Sequence, residues 1–203
     1  MENKSRGIII VDPGHGQFNN KHTTRDGFYE GTQNFILGSF LRDELVSLGF
    51  EVIMTRNAVE DNPSLEERGS SAGKNGAVLF ISLHSNAPGG NPSDPHYPTV
   101  RGVETYYSVS DAEGNAPIAK ALNSTVVEVM DSLDRGIKTR RHPENEGIDY
   151  YGVLRASAAS GCKRAFLVEH GFHTNPEDSL FLQTEECLRR LAKAEAAVID
   201  RFF

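Results

Sequence analysis

Residues 8–16 read IIIVDPGHG. The branched apolar run from Ile8 to Val11 has no polar interruption, the pattern of a strand buried on both faces. It stops at Asp12-Pro13, and His15 follows between Gly14 and Gly16. Two glycines leave an imidazole accessible and let other backbone approach it closely. That suits a ligand, a catalytic base or an ordinary turn, and the rest of the chain has to decide.

Outward from this strand, apolar runs alternate with helical stretches. Residues 32–48 carry Leu37, Phe40, Leu41, Leu45 and Leu48 on one helical stripe. Residues 50–55 and 77–83 (AVLFISL) read as strands. Between them, Pro63 followed by SLEE (64–67) is a capping box that starts a helix running to about Asn75. Residues 86–101, rich in Pro, Gly and Asn, read as a loop. Residues 103–107 predict a fourth strand and 115–133 a helix. Residues 134–146 are polar and partly basic, with no assignable periodicity. Residues 150–154 are expected as a strand, 164–169 (RAFLVE) as another, and 184–203 as a closing helix. The order predicts an α/β fold in a single domain spanning 1–203: an open, mostly parallel, twisted sheet flanked by helices on both faces.

At 203 residues the chain has room for one full core. A hydrophobic content of 38% with 24% charged residues is that of an ordinary globular protein. The net charge of -7 argues against a nucleic-acid partner, which would need a basic surface. No apolar stretch approaches the ~20 residues that span a bilayer, so no membrane insertion is expected. The apolar run before Asp12 is shorter than the ~7–15 residues of a signal-peptide core, so this chain is read as lacking an export signal of its own. Cys162 and Cys187 form no C-x-x-C pair and read as two reduced, partly buried thiols.

In open α/β sheets ligands bind beyond the carboxyl ends of the strands. The first strand delivers Asp12 and His15 there, the third His84-Ser85-Asn86, and the strand at 164–169 delivers Glu169-His170-Gly171. If these strands are parallel, His15, His84 and Glu169 share one rim, and the loop after the first strand connects Glu30, just ahead of the first long helix, to the same rim. Each residue has an ordinary reading alone: a turn histidine, a strand-end histidine, an acid at a helix N-terminus. A carboxylate ending an apolar strand, as Glu169 does, is costly to bury unless paired or bound to metal. Two histidines and two carboxylates on one rim point to a catalytic zinc, with three protein ligands, an open fourth position and the remaining carboxylate as general base. The rim argument does not say which carboxylate binds the metal. By strand alternation His170 points away from Glu169 and is left out of the ligand set. His22 and His142 are expected at the surface; His96 in the 86–101 loop and His173 receive no role.

The segments VDPGHG (11–16), the Glu of GFYEGT (27–32), ISLHSNA (81–87), RGVETYY (101–107) and LVEHGFHTN (167–175) occur in this order. Together they resemble the zinc-dependent N-acetylmuramoyl-L-alanine amidases of the amidase 3, or AmiC-like, class, from Ile8 to the final helix. The wording VEHGFHTN is closer to phage endolysins and clostridial lytic enzymes than to exported housekeeping amidases. Many relatives carry Ala where this chain has Pro13.

Carried over position by position, the resemblance implies one Zn2+ per chain held by His15, Glu30 and His84, with Glu169 as the catalytic carboxylate. It implies peptidoglycan as substrate and the bond between N-acetylmuramic acid and the L-alanine of the stem peptide as the bond cut. Zinc-activated water would attack the amide, with Glu169 taking a proton and returning it to the leaving nitrogen. Asn86, two residues past His84, is a candidate hydrogen-bonding contact to substrate. The protein would act at the bacterial cell wall, made in the cytoplasm and released by phage lysis, unless the sequence is a catalytic piece of a longer enzyme with a wall-binding module. The oligomeric state is not readable. A zinc peptidase or deacetylase would use the same kind of site. A non-catalytic wall-binding module of the same fold should have lost a ligand or the base, yet all four positions are occupied. A two-metal phosphoesterase would need a second set of acids and Asn-His pairs, which this sequence does not carry.

Overall fold

The computed structural model of the chain describes residues 6–20 and 27–203. His22 lies outside the described residues. The opening run forms β1 (Ile8–Pro13), which lies between β2 (Glu51–Met54) and β3 (Leu79–Asn86) and is parallel to both. Next to β3, and parallel to it, runs β8 (Ala165–Phe172), all eight of whose residues are buried. Then come β4 (Val103–Tyr107), antiparallel to β8, and β5 (Asp134–Lys138), parallel to β4, giving the order β2-β1-β3-β8-β4-β5. A separate two-stranded ribbon, β6 (Arg141–His142) with β7 (Asn145–Asp149), follows β5.

Alternation along the strands divides the core. Ile9, Val11, Leu79, Ile81, Phe166 and Val168 point to one face. There they meet α1 (Glu30–Ser47), α3 (Ala112–Met130) and α6 (Glu185–Phe202). Leu37, Leu41 and Leu45 of the predicted stripe are fully enclosed, each contributing about 1.5–3 kcal/mol by leaving water. Ile10, Phe80, Ala165 and Leu167 point to the other face, under α2 (Leu65–Lys74) and α4 (Gly152–Ala159). Both faces are thus covered, as a buried parallel core requires. Cys162 is buried and Cys187 half-buried, both free.

Several expectations are corrected. Residues 150–154 do not form a strand: β7 ends at Asp149, and Gly152 begins α4. Val153, Leu154, Ala156 and Ser157 are buried, a helical spacing that five residues alone do not distinguish from a short apolar strand. The unassigned 134–146 stretch holds β5, β6 and the start of β7. These are edge strands with little apolar alternation because much of their length faces solvent. A further helix, α5 (Pro176–Leu182), precedes the closing one. Asn175 caps it by accepting from the N–H groups of Glu177 and Asp178, and Pro176 occupies its first turn. The expected capping box is present: Ser64 Oγ accepts from Glu67 N–H at 3.2 Å, and Glu67 Oε2 accepts from Ser64 N–H at 2.8 Å. Glu30, expected ahead of the first helix, is its first residue.

α2 and α4 touch through glycine. A Cβ on Gly73 would lie 1.8 Å from the Ser160 carbonyl oxygen. An alanine there gains about 1 kcal/mol of helix propensity, but the obstructing atom is backbone and cannot rotate aside. Overpacking of this kind costs about 1–3 kcal/mol, more when the helices must separate. Gly73→Ala is therefore expected to be a net destabilisation, read in urea denaturation as a lower midpoint at unchanged slope.

Candidate metal centre

The sheet delivers three side chains to one rim on the α2/α4 side. β1 ends in a loop carrying His15, β3 carries His84, and β8 carries Glu169, the cross-strand neighbour of His84. The loop is held in an uncommon shape: His15 has φ 63°, in the left-handed region that few non-glycine residues adopt. What holds it is Arg68, buried on α2. Its Nε donates to the Pro63 carbonyl at 2.9 Å. Nη1 donates to Asp12 Oδ1 at 2.9 Å and the Pro13 carbonyl at 2.7 Å. Nη2 donates to the His15 carbonyl at 2.8 Å and Asn62 Oδ1 at 3.1 Å. All the guanidinium's N–H donors are used. Asp12, fully buried, also accepts from Thr55 Oγ1 and Ser82 Oγ, each at 2.6 Å. It faces into the protein as an anchor. Arg56, also buried, donates to the carbonyls of Gly31 (2.7 Å) and Gly14 (3.4 Å).

The glycines beside His15 are needed for contact. A Cβ on Gly14 would lie 2.3 Å from the His84 ring, and a Cβ on Gly31 would lie 1.8 Å from the Gly16 carbonyl oxygen. The loop therefore packs directly on the His84 ring and on the first turn of α1. This brings Glu30 beneath both imidazoles. Glu30 Oε1 lies 3.1 Å from His84 Nδ1, and Glu30 Oε2 lies 3.4 Å from His15 Nε2. The two rings meet edge to face with centroids 4.8 Å apart. One donor atom from each of His15, Glu30 and His84 lies within 4.8 Å of the other two. Glu30 is buried and accepts from Asn20 Nδ2 (2.7 Å), Ser85 N–H (3.0 Å) and Asn34 Nδ2 (3.3 Å). Burial by itself would push its pKa up. The hydrogen bond from His84 and the charges of His84, His15 and His173 outweigh burial and hold it far below the usual range.

Glu169 is placed differently. It is buried, and among the described residues its Oε2 has no hydrogen-bond partner. Burial pushes its pKa up to about 7; His84 opposes, and the carboxylates of Glu30 and Glu104 add to the rise. His84 itself rises to about 8, because Glu30 overcomes the effect of burial. His15, with burial outweighing Glu30, falls. The other cross-strand neighbour of Glu169 is Glu104 on β4. Glu104 is fully engaged: Oε1 accepts from Asn86 Nδ2 (2.9 Å) and the Tyr106 hydroxyl (3.0 Å), and Oε2 accepts from Arg135 Nε (3.1 Å) and Lys138 Nζ. Asn86 thus has its amide on Glu104, while its Oδ1 accepts from the Ala87 N–H at 2.8 Å.

His170 turns to the opposite face, Nδ1 on the His84 carbonyl (3.0 Å) and Nε2 on Glu195 of α6 (3.1 Å). Sequence reasoning missed His173, which lies stacked on Phe28 with Nδ1 3.0 Å from the Ser85 carbonyl and 3.9 Å from Glu30 Oε2. It gave no role to Asn20, Asn34, Arg56, Arg68 and Glu104. The first four act through loop carbonyls or on Glu30, contacts no local pattern encodes. His96 is exposed in its loop, Nδ1 on Thr99 Oγ1, and His142 sits half-buried in β6. A cleft of about 270 Å³ opens onto His15 and His84, walled by Asn62, Ser64 and Leu65 of the α2 start and by Val153 of α4.

Comparison with known proteins gives the same fold. The family model described as N-acetylmuramoyl-L-alanine amidase matches residues 9–201. The sporulation-specific N-acetylmuramoyl-L-alanine amidase of Bacillus subtilis (strain 168) is 29% identical over 198 residues, covering 96% of this chain and 68% of that one. Among solved structures, Cwp6 from Clostridium difficile superposes with a TM-score of 0.79 at 28% identity, covering 96% of this chain but 29% of that one. An N-acetylmuramoyl-L-alanine amidase from Clostridium difficile 630 superposes with a TM-score of 0.76 at 26% identity, covering 95% and 94%.

The raised pKa of Glu169 has a consequence for the metal-free protein. Between the ordinary carboxyl value of 4.5 and about 7, the folded state keeps a proton that the unfolded chain has released. The Glu169 contribution to stability therefore falls as pH rises through that window and is level above it. Chelated wild type compared with chelated Glu169→Gln by denaturation from pH 4 to 8 should show this slope in the wild type relative to the variant; parallel profiles would contradict the burial argument.

Proposed function

The chain belongs to the N-acetylmuramoyl-L-alanine amidase family, and we propose that it is a zinc-dependent peptidoglycan hydrolase that cuts between N-acetylmuramic acid and the L-alanine of the stem peptide. The carrying observation is the convergence of His15, Glu30 and His84 donor atoms within 4.8 Å, beside a buried carboxylate with an unpartnered oxygen. Two imidazoles and one carboxylate form a donor set suited to a catalytic zinc, leaving a position for water or substrate. The buried, ionised Glu30 between two histidines fits a cation better than it fits the bare protein. Asn20 Nδ2, 2.7 Å from Glu30 Oε2 and 3.2 Å from His15 Nε2, already turns an amide N–H group towards this point.

His15, Glu30 and His84 would hold one zinc per chain. Bound there, the ion would supply Lewis-acid polarisation and lower the pKa of water from ~16 towards ~7. Glu169 supplies the proton transfer. Its free Oε2 takes a proton from the attacking water and then gives it to the leaving amine nitrogen of L-alanine. A carboxylate poised near neutrality can do both, because neither protonation state is far out of reach. Glu104, tied up by its donors, stays ionised and keeps to its own strand. Asn86 fixes Glu104 from the β3 side, so we assign it a positioning role in place of the direct substrate contact expected from sequence. Acting on peptidoglycan, the protein would work at the cell wall.

Digestion of purified peptidoglycan with mass spectrometry of the fragments tests this reading. Zinc-loaded wild type should release stem peptides beginning with L-alanine from intact glycan strands, and a chelator should abolish release. Glu169→Ala should keep about one zinc per chain and lose ~10²–10⁴-fold in turnover. His84→Ala should lose the metal as well. Peptides cut internally, or deacetylated sugars, would overturn the specificity; wild-type turnover in Glu169→Ala would overturn the mechanism.

A further inference from the structure

The basic stretch without assignable periodicity in the sequence, DRGIKTRRH at 134–142, builds a surface beside the proposed site. In the sheet order, Glu169 on β8 separates two regions. On the β1–β3 side is the cleft walled by Asn62, Ser64 and Leu65. The guanidinium on its wall, Arg68, is consumed by Asp12 and by carbonyls. On the β4–β5 side lies a ledge of aromatic rings and cations. Tyr106 of β4 packs on Tyr151 with ring centroids 4.8 Å apart, and Tyr150 meets Tyr151 edge-on at 5.6 Å. Arg140 lies over the Tyr150 ring at 3.6 Å from its centroid and reaches the Tyr151 hydroxyl.

The ledge carries excess positive charge in a chain whose net charge is -7. Arg135 and Lys138 share the single carboxylate of Glu104. Arg140 is exposed, and among the described residues no carboxylate lies within ion-pair distance of it. Its backbone is fixed all the same. The Arg140 carbonyl accepts from the Tyr150 N–H at 2.8 Å, and Arg155 donates to the carbonyls of Asp149 (2.7 Å) and Tyr150 (2.9 Å). A guanidinium held over a tyrosine face, with one N–H on the Tyr151 hydroxyl, has further N–H groups to offer a carboxylate. Tyr151 links this ledge to the reacting groups, since it lies within electrostatic reach of Glu169.

We propose that Arg140, lying over Tyr150 and reaching the Tyr151 hydroxyl, is a specificity-determining residue that receives a free carboxylate of the stem peptide. The substrate then lies with its acidic peptide over β4 and β5 and its uncharged N-acetyl sugars in the cleft between β1 and α2. This inference rests on the amidase reading and gives the substrate a direction across the site.

The test uses two N-acetylmuramoyl-peptides, one with free stem carboxylates and one with the same carboxylates converted to primary amides. Zinc-loaded wild type should cleave the free acid with the higher kcat/KM. Arg140→Ala should lose about tenfold in kcat/KM on the free acid, through KM, and less than about twofold on the amide. Arg140→Lys should recover part of the loss, because a point charge is kept while the planar edge is not. Equal losses on both substrates, no loss on either, or a wild type indifferent to amidation would overturn the proposal. A wild type that releases no L-alanine peptide from either compound would overturn the amidase reading itself, and the proposal with it.

Discussion

The buried pair between Asp12 and Arg68 is the contact on which the rest of the site depends. Neither side chain has appreciable access to water. Burying such a pair stabilises only when the remaining donors and acceptors are filled, and here they are: Thr55 and Ser82 complete the aspartate, and four carbonyl or amide oxygens complete the guanidinium. The arrangement does more than neutralise charge. Two of those oxygens are the carbonyls of Pro13 and His15, so the ion pair at the end of β1 also sets the path of the loop that leaves it. The left-handed φ of His15 persists because Arg68 on one side and the His84 ring against Gly14 on the other over-determine it.

From that fixed loop the electrostatics of the rim follow. Three acidic side chains share the region, and each has a different environment. Glu30 is surrounded by histidines and amide donors and stays ionised. Glu104 is held by two cations, a tyrosine and an asparagine, and its pKa is lowered despite burial. Glu169, between them, has among the described residues neither an ion-pair partner nor a donor on Oε2, and its pKa rises. Carboxylates pushed apart in this way suit the separate roles proposed for them: one to hold a cation, one to fix the frame, one to move a proton. An unpartnered buried carboxyl is costly. It sits near the centre of the sheet, between His84 on β3 and Glu104 on β4.

Much of this was readable from the chain because β1, β3 and β8 announce themselves as uninterrupted apolar runs, and a parallel sheet must bring their polar ends to one rim. His15, His84 and Glu169 sit immediately after or at the end of such runs, so their placement needs only local information. The capping box at Ser64 is likewise local. The rest depends on distance. Arg68 finds Asp12 across 56 positions and Arg56 finds Gly31 across 25, contacts that no periodicity encodes. The error at 150–154 has a similar origin: Tyr-Gly-Val-Leu fits a short strand as well as a helical turn until Asp149 is seen held by Ser108 and the Val109 N–H, which ends β7 and releases the chain into α4.

The reversed direction of β4 explains why the site is built from neighbours on both sides of β8. β3 ends at the rim with Asn86. A parallel continuation would have to carry the chain back to the far end of the sheet before the next strand could begin. Running antiparallel to β8, β4 starts at the rim instead, so the 86–101 loop stays there and Glu104 arrives opposite Glu169. Strand alternation then puts Tyr106 on the same face, two residues further on, and β5 beside it supplies Arg135 and Lys138. One change of strand direction thus sets Glu169 between a histidine-lined cleft and a cationic, aromatic ledge. A symmetric, all-parallel sheet would have surrounded it with two similar walls. The asymmetry of the site is therefore a property of topology first and of individual side chains second.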